Sequence, residues 1–195
     1  MGVFMQELRK AIMPIHDEAE KNGPLRQVVE KNVTLENYRM TLLRIHGFVS
    51  ELEKAVDEVP GQYRSELDWD IRKRSGMLEK DLLFLGETTL KIRTSSKFDF
   101  KSQVRTVPQA LGLIYLMEGS RLGGLVLAKA LREHFGFSNF NGYSYFASPG
   151  IEVVPMWQSF TAFMENFVAV NGHGPVIIIS AKNGFEALNT WLAES

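Results

Sequence analysis

A histidine, a glutamate and an arginine share one face of the first helical segment of the chain. His16 has Glu20 one turn after it and Arg9 two turns before it, ~10 Å along a helix axis. The other neighbours on that face, Ile12, Met13 and Ala19, are apolar. Glu20 can hold Nδ1–H and leave Nε2 free as a metal ligand. Arg9 can meet a carboxylate at the edge of a flat ligand whose centre the histidine holds.

One nitrogen ligand with a peripheral cation suits heme. Zinc needs three or four protein ligands. A core histidine with satisfied ring nitrogens is the competing reading. The counterpart lies a hundred residues on, in Tyr115-Leu116-Met117-Glu118-Gly119-Ser120-Arg121-Leu122-Gly123-Gly124. Glycine inside a helix costs ~1 kcal/mol relative to alanine. Gly119, Gly123 and Gly124, with Gly112 one heptad upstream, need a reason. Tight packing of helices through small residues is one. A helix laid bare against a flat ligand is the other.

The remaining candidates are weaker. His46 lies in a strongly apolar helix, where a core or surface role is the simpler reading. His134 stands near a helix end, where it suits the dipole, and His173 in a Gly-Pro turn. Glu51, Glu53, Asp57 and Glu58 read as a solvated face. No Glu-x-x-His pair marks a di-iron bundle. No phosphate loop or dinucleotide fingerprint follows a strand, and Ser120 is not in a nucleophile elbow.

Composition narrows the class. Hydrophobic content of 45% and charged content of 23% are those of a soluble globular domain. A net charge of −1 gives no pull toward nucleic acid or an anionic membrane. With no cysteine, disulfides, thiolate metal sites and cysteine nucleophiles are excluded. The start Met1-Gly2-Val3-Phe4 is neither a secretory signal nor a myristoylation site. The most apolar stretch, 107–131, is interrupted by Glu118, Arg121 and Lys129, so no membrane span is expected. A cytoplasmic protein is the expectation.

Residues 1–195 read as a single all-α domain. Segment 4–20 carries Leu8, Ile12, Ile15 and Ala19. Asn22-Gly23-Pro24 ends it. Thr34 reads as an N-cap, and a long helix over 35–58 carries Leu35, Tyr38, Leu42, Ile45, Val49, Leu52 and Val56. Residues 62–86 read as one helix or a broken pair, and 87–106 as irregular. The glycine-dense helix runs over about 108–134, and 136–152 reads as a loop. Helices follow over 154–170 and 176–193. The run Val176-Ile177-Ile178-Ile179 has strand propensity, but Ala181, Phe185, Leu188 and Leu192 continue it with helical spacing.

With these residues in view, the chain resembles the heme oxygenase family over nearly its whole length, in particular the soluble bacterial type associated with bacteriophytochromes. Arg9 to Glu20 resembles the proximal helix. Tyr38-x3-Leu42-Leu43-x9-Glu53 resembles the second helix, and Glu118 to Gly124 the distal helix. Phe146, Gly150, Trp157 and Phe160 fit the late aromatic segment, and Ala181-Lys182-x2-Phe185 the last helix. The resemblance implies heme, as substrate and cofactor, held between the first and distal helices. Oxygen (O2) and electrons would convert it to biliverdin, carbon monoxide and ferrous iron. His16 would ligate iron, with Glu20 behind it. Arg9 and Lys182 would meet propionates, and Phe185 would line the heme site. Gly119 and Gly123 would let backbone cover the heme, and Ser120 would anchor a proton-donating water.

An external electron donor, a ferredoxin, flavodoxin or reductase, is implied, docking near Arg9, Lys10 and Lys182. A bacteriophytochrome is an implied biliverdin acceptor. Three positions depart from the pattern. Ser120 stands where the animal-type enzyme has aspartate, Arg121 where the subgroup has a small polar residue, and Ile12 where it often has threonine. The Ile-rich 177–179 segment is also atypical of the last helix. A heme carrier or sensor without turnover is the alternative on the same scaffold. A third reading is an all-helical relative that binds another ligand or only a protein partner, with His16 a buried structural residue.

Overall fold

The computed structural model describes residues 2–94, 99–100 and 103–193. Eleven helices and no strand occur among them. They are α1 (Val3–Asn22), α2 (Arg26–Val29), α3 (Leu35–Glu58), α4 (Tyr63–Glu66), α5 (Trp69–Arg72), α6 (Ser75–Phe84), α7 (Thr89–Thr94), α8 (Val107–Phe135), α9 (Ser144–Ala147), α10 (Val153–Asn171) and α11 (Gly174–Ala193).

The long helices stand where the apolar spacing puts them. Thr34 caps α3 by accepting from the Asn37 N–H at 3.1 Å. Tyr38, Leu42, Ile45, Val49, Leu52 and Val56 are all buried, while Leu35 at the start of the stripe is exposed. α8 opens on the Gln109 side chain, which accepts from the Arg105 and Thr106 N–H groups at 3.0 and 3.1 Å. It ends on Gly136 in the left-handed region, φ 69°. In α11 the isoleucine run is helical. Ile177, Ala181, Gly184, Phe185 and Leu192 are buried along one side, and Ile179 faces solvent.

α8 is the central element, packed against α11, α9, α10, α2 and α3. Its closest approach is to α11. A β-carbon on Gly112 would lie 2.7 Å from Ile177 O, and one on Gly184 2.8 Å from Leu113 Cδ2. α1 packs on α11 and α10, and α3 on α6. α1 and α8 are not a closely packed pair.

Several expectations are corrected. Residues 62–86 form three short helices, α4 to α6, broken at Asp68 (left-handed, φ 51°) and at Lys73-Arg74. Segment 87–106 holds α7, and the 136–152 loop holds α9. Asp81 caps α9, accepting from the Ser144 and Tyr145 N–H groups at 2.9 and 2.8 Å. By length and apolar character alone α8 could cross a membrane, contrary to the sequence reading, yet 61% of its most apolar window is buried within the fold. Glu53 and Asp57 are not a solvated face. Glu53 is buried and accepts from the backbone of Arg74 and Ser75, and Asp57 accepts from Trp69 Nε1 at 2.8 Å.

Candidate active site

α1 is anchored at its start and interrupted before His16. Its first turn is capped by a neighbour. Glu165 of α10 accepts from the Phe4 and Met5 N–H groups at 3.3 and 2.7 Å, satisfying donors a helix start leaves orphaned. Pro14 then lies inside the helix and takes away the donor that would reach the Lys10 carbonyl. His16 follows on the next turn. Its side chain is 47% exposed, which excludes the core reading. Nδ1 faces Glu20 Oε1 at 3.8 Å and Asp17 Oδ1 at 4.0 Å. The ring meets the buried Phe185 of α11 edge-on, centroids 6.3 Å apart. The three donor atoms of His16, Asp17 and Glu20 lie within 4.8 Å of one another and could hold a cation. All three sit on one exposed face of one helix, and such clusters are common without an ion.

α8 is bare at two of its glycines. A β-carbon on Gly119 or Gly123 would meet nothing within 4 Å. Gly124, on the next face, would meet Phe146 O at 3.0 Å, and Gly112 is pressed on α11. The two explanations for the glycines therefore divide by position. Gly112 and Gly124 pack elements together; Gly119 and Gly123 line open space. Val126, one turn beyond Gly123, is exposed, as is Met13 beside His16 on α1. Open surface at Met13 and His16 on α1, and at Gly119, Gly123 and Val126 on α8, is the result.

A cation of α1 stands near α8. Burial pushes the Tyr115 hydroxyl above its usual range, and the charge of Arg9 opposes that shift, so Arg9 lies within electrostatic reach of Tyr115. Tyr115 stands one turn before Gly119 on α8. Arg9 is exposed, and Lys182 is half-buried on α11, three residues before Phe185.

Behind α8 lies a buried charge cluster. Arg72, Arg74, Arg121 and Glu118 are each 3% exposed or less. Arg72 Nη1 donates to Glu118 Oε2 at 2.8 Å, and Arg121 Nη2 donates to Arg72 O at 3.0 Å and lies 3.6 Å from Glu118 Oε1. Arg121 thus points inward, away from solvent. Burial raises the Glu118 carboxyl against the pull of the neighbouring arginines, and it draws Arg121 down to about 10, with Arg74 adding to the effect. Ser120 is tied into this cluster. Its hydroxyl donates to Met117 O at 2.8 Å and accepts from Arg74 Nη1 at 2.9 Å. The sequence signal for it was the basic run Arg72-Lys73-Arg74, which composition reads as a surface.

The other histidines stand apart. His46 is buried on α3 near Glu79 and Lys54, and its pKa is lowered by burial. His134 Nε2 pairs with Val33 O at 2.8 Å, and His173 turns the chain with φ 67°.

The fold is an all-helical one in which α1 carries a half-exposed histidine and α8 carries two glycines open to space. The family model described as heme oxygenase matches residues 3–194, and the chain belongs to the heme oxygenase family. It is an enzyme that degrades heme. The solved heme oxygenase of Leptospira interrogans shares the fold with a TM-score of 0.78 at 15% identity, covering 98% of this chain and 99% of that one. Heme oxygenase-1 of the cyanobacterium Synechocystis, solved with heme, gives 0.78 at 17% identity, over 98% and 91%. Heme oxygenase 2 of Chlamydomonas reinhardtii, solved without heme, gives 0.82 at 15% identity, over 99% and 97%. Among curated proteins none matches the chain by sequence.

Proposed function

We propose that the slot between α1 and α8 binds heme for cleavage to biliverdin, with each wall in a distinct role. His16 Nε2 is the iron ligand, and Glu20 holds Nδ1. Phe185 supports the imidazole from α11. Arg9 and Lys182 receive the propionates at the cationic end, with Tyr115 beside them. Gly119 and Gly123 leave room for the macrocycle against the α8 backbone, and Ser120 anchors a water on that side. When bound, heme supplies both the iron that activates oxygen and the ring that is opened, with carbon monoxide and ferrous iron as the other products. The protein contributes binding, orientation and the placement of a proton donor.

The carrying observation is the open space over Gly119 and Gly123, on the face where a β-carbon would meet nothing. Electrons come from an external donor of the ferredoxin, flavodoxin or reductase type, docking beside the exposed Arg9 and Lys10. Biliverdin passes to an acceptor such as a bacteriophytochrome. The absence of cysteine fits a cytoplasmic site of action.

An anaerobic hemin titration, followed by ascorbate and air, tests the reading. Saturation at one heme, then loss of the Soret band with growth of a broad red absorption, is the expected result. A stable Soret band under reductant and oxygen would instead make the protein a heme carrier or sensor. No hemin binding would overturn the site.

A further inference from the structure

Ser120 is held from two sides with opposite polarity. A hydroxyl has one proton and two lone pairs. The Ser120 proton goes to Met117 O and one lone pair takes the Arg74 proton, at 2.8 and 2.9 Å. One lone pair remains, and Ser120 itself is solvent-accessible on the α8 turn that carries Gly119 and Gly123. Toward the slot this hydroxyl can only accept.

Arg74 is built into that position. It is 1% exposed. Its backbone N–H donates to Glu53 Oε1 at 2.5 Å, Nη1 also reaches Met117 O at 3.1 Å, and Nη2 donates to Tyr145 O at 2.8 Å. The guanidinium carbon lies 3.9 Å from the centre of the Tyr145 ring, a cation–π contact. Restraints from α3, α8 and α9 leave it little freedom to release Ser120. Around it Arg72 and Arg121 share the buried carboxylate of Glu118, and the buried Glu53 accepts from the Arg74 backbone, so the guanidinium sits in a buried ionic network beneath Ser120. A buried charge of that kind acts through a low dielectric.

We propose that Arg74 is a positioning residue for the distal side of the heme slot: its buried guanidinium fixes the Ser120 hydroxyl as a pure acceptor, so that a water donating to Ser120 turns its second hydrogen toward the slot. The inference rests on the heme-site reading. It assigns to an arginine–serine pair the orienting task that the resemblance gives to an aspartate in the animal-type enzyme.

The test is a double-mutant cycle on the ferric heme complex, read by fluoride affinity, because bound fluoride accepts a hydrogen bond from such a water. Ser120→Ala and Arg74→Met are each expected to weaken fluoride about tenfold, the worth of one hydrogen bond. The double variant is expected to be no weaker than either single one, since the pair acts as a unit. Additive losses, or wild-type fluoride affinity in Arg74→Met with heme bound, would overturn the assignment. Should Arg74→Met fail to fold, Arg74→Lys takes its place, and its effect must vanish in the Ser120→Ala background. Wild-type protein that binds no hemin would overturn the heme site itself; wild-type binding with uncoupled variants would overturn only the role of Arg74.

Discussion

Gly112 and Gly119 lie one heptad apart on the same face of α8 and have opposite surroundings. A β-carbon on Gly112 would sit 2.7 Å from Ile177 O, whereas one on Gly119 would touch nothing within 4 Å. The face changes surroundings along its length, from a seam against α11 to open space.

Gly112→Ala is therefore expected to destabilise the apoprotein by about 1–3 kcal/mol through overpacking. Gly123→Ala is expected to stabilise it by about 0.5–1 kcal/mol through helix propensity. Denaturant melts of the two variants measure this directly. In the hemin titration the larger Gly123→Leu should lose affinity or change the product isomer. Normal binding and products would mean that Gly123 has no part in the slot.

His16→Ala should abolish the histidine-ligated heme spectrum. Its side chain is half-exposed, so apoprotein stability should stay within about 0.5 kcal/mol. A retained spectrum would remove His16 as the ligand. A large drop in stability would return it to a structural role.

Glu165 gives a way to disturb the iron-ligand helix from outside the slot. Glu165→Ala leaves the Phe4 and Met5 N–H groups without their acceptor, which should cost about 1 kcal/mol. Because α1 carries His16, hemin affinity should fall as well. Hydrogen exchange of the first turn of α1, together with the titration, checks both effects. Unchanged protection at Phe4 and Met5 would show that the cap does not hold the turn.

Alkaline stability should report Tyr63. Its hydroxyl is buried and donates to Val56 O at 2.8 Å. Burial raises its pKa from 10.0 to about 12. The unfolded chain loses this proton first, so the stabilisation is complete below pH 10.0 and is lost as pH rises through about 12. The loss should be on the order of 2 kcal/mol. Tyr63→Phe should flatten that part of the pH profile. An unaltered slope between wild type and variant would show that another group causes it.

The stripes of α3 and α11, the length of α8, and the histidine and glycine positions were legible because each follows a helical period. The division between Gly112 and Gly119 was not, since spacing says where a face points and not what lies opposite. The buried arginines were hidden for a related reason. Arg72, Arg74 and Glu53 look like ordinary solvated charges along the chain, and only the folding of α5 and α6 under α8 takes them out of water. The short helices α4, α5, α7 and α9 fall below the length at which a period can be read.

α1 and α8 each lean on α11 and do not pack closely on one another. The arrangement is that of a book whose two covers share a spine. Along that spine Ala181 presents its backbone N to the bare flank of Gly112. A bulkier residue there would push α8 off α11 and change the gape of the whole volume.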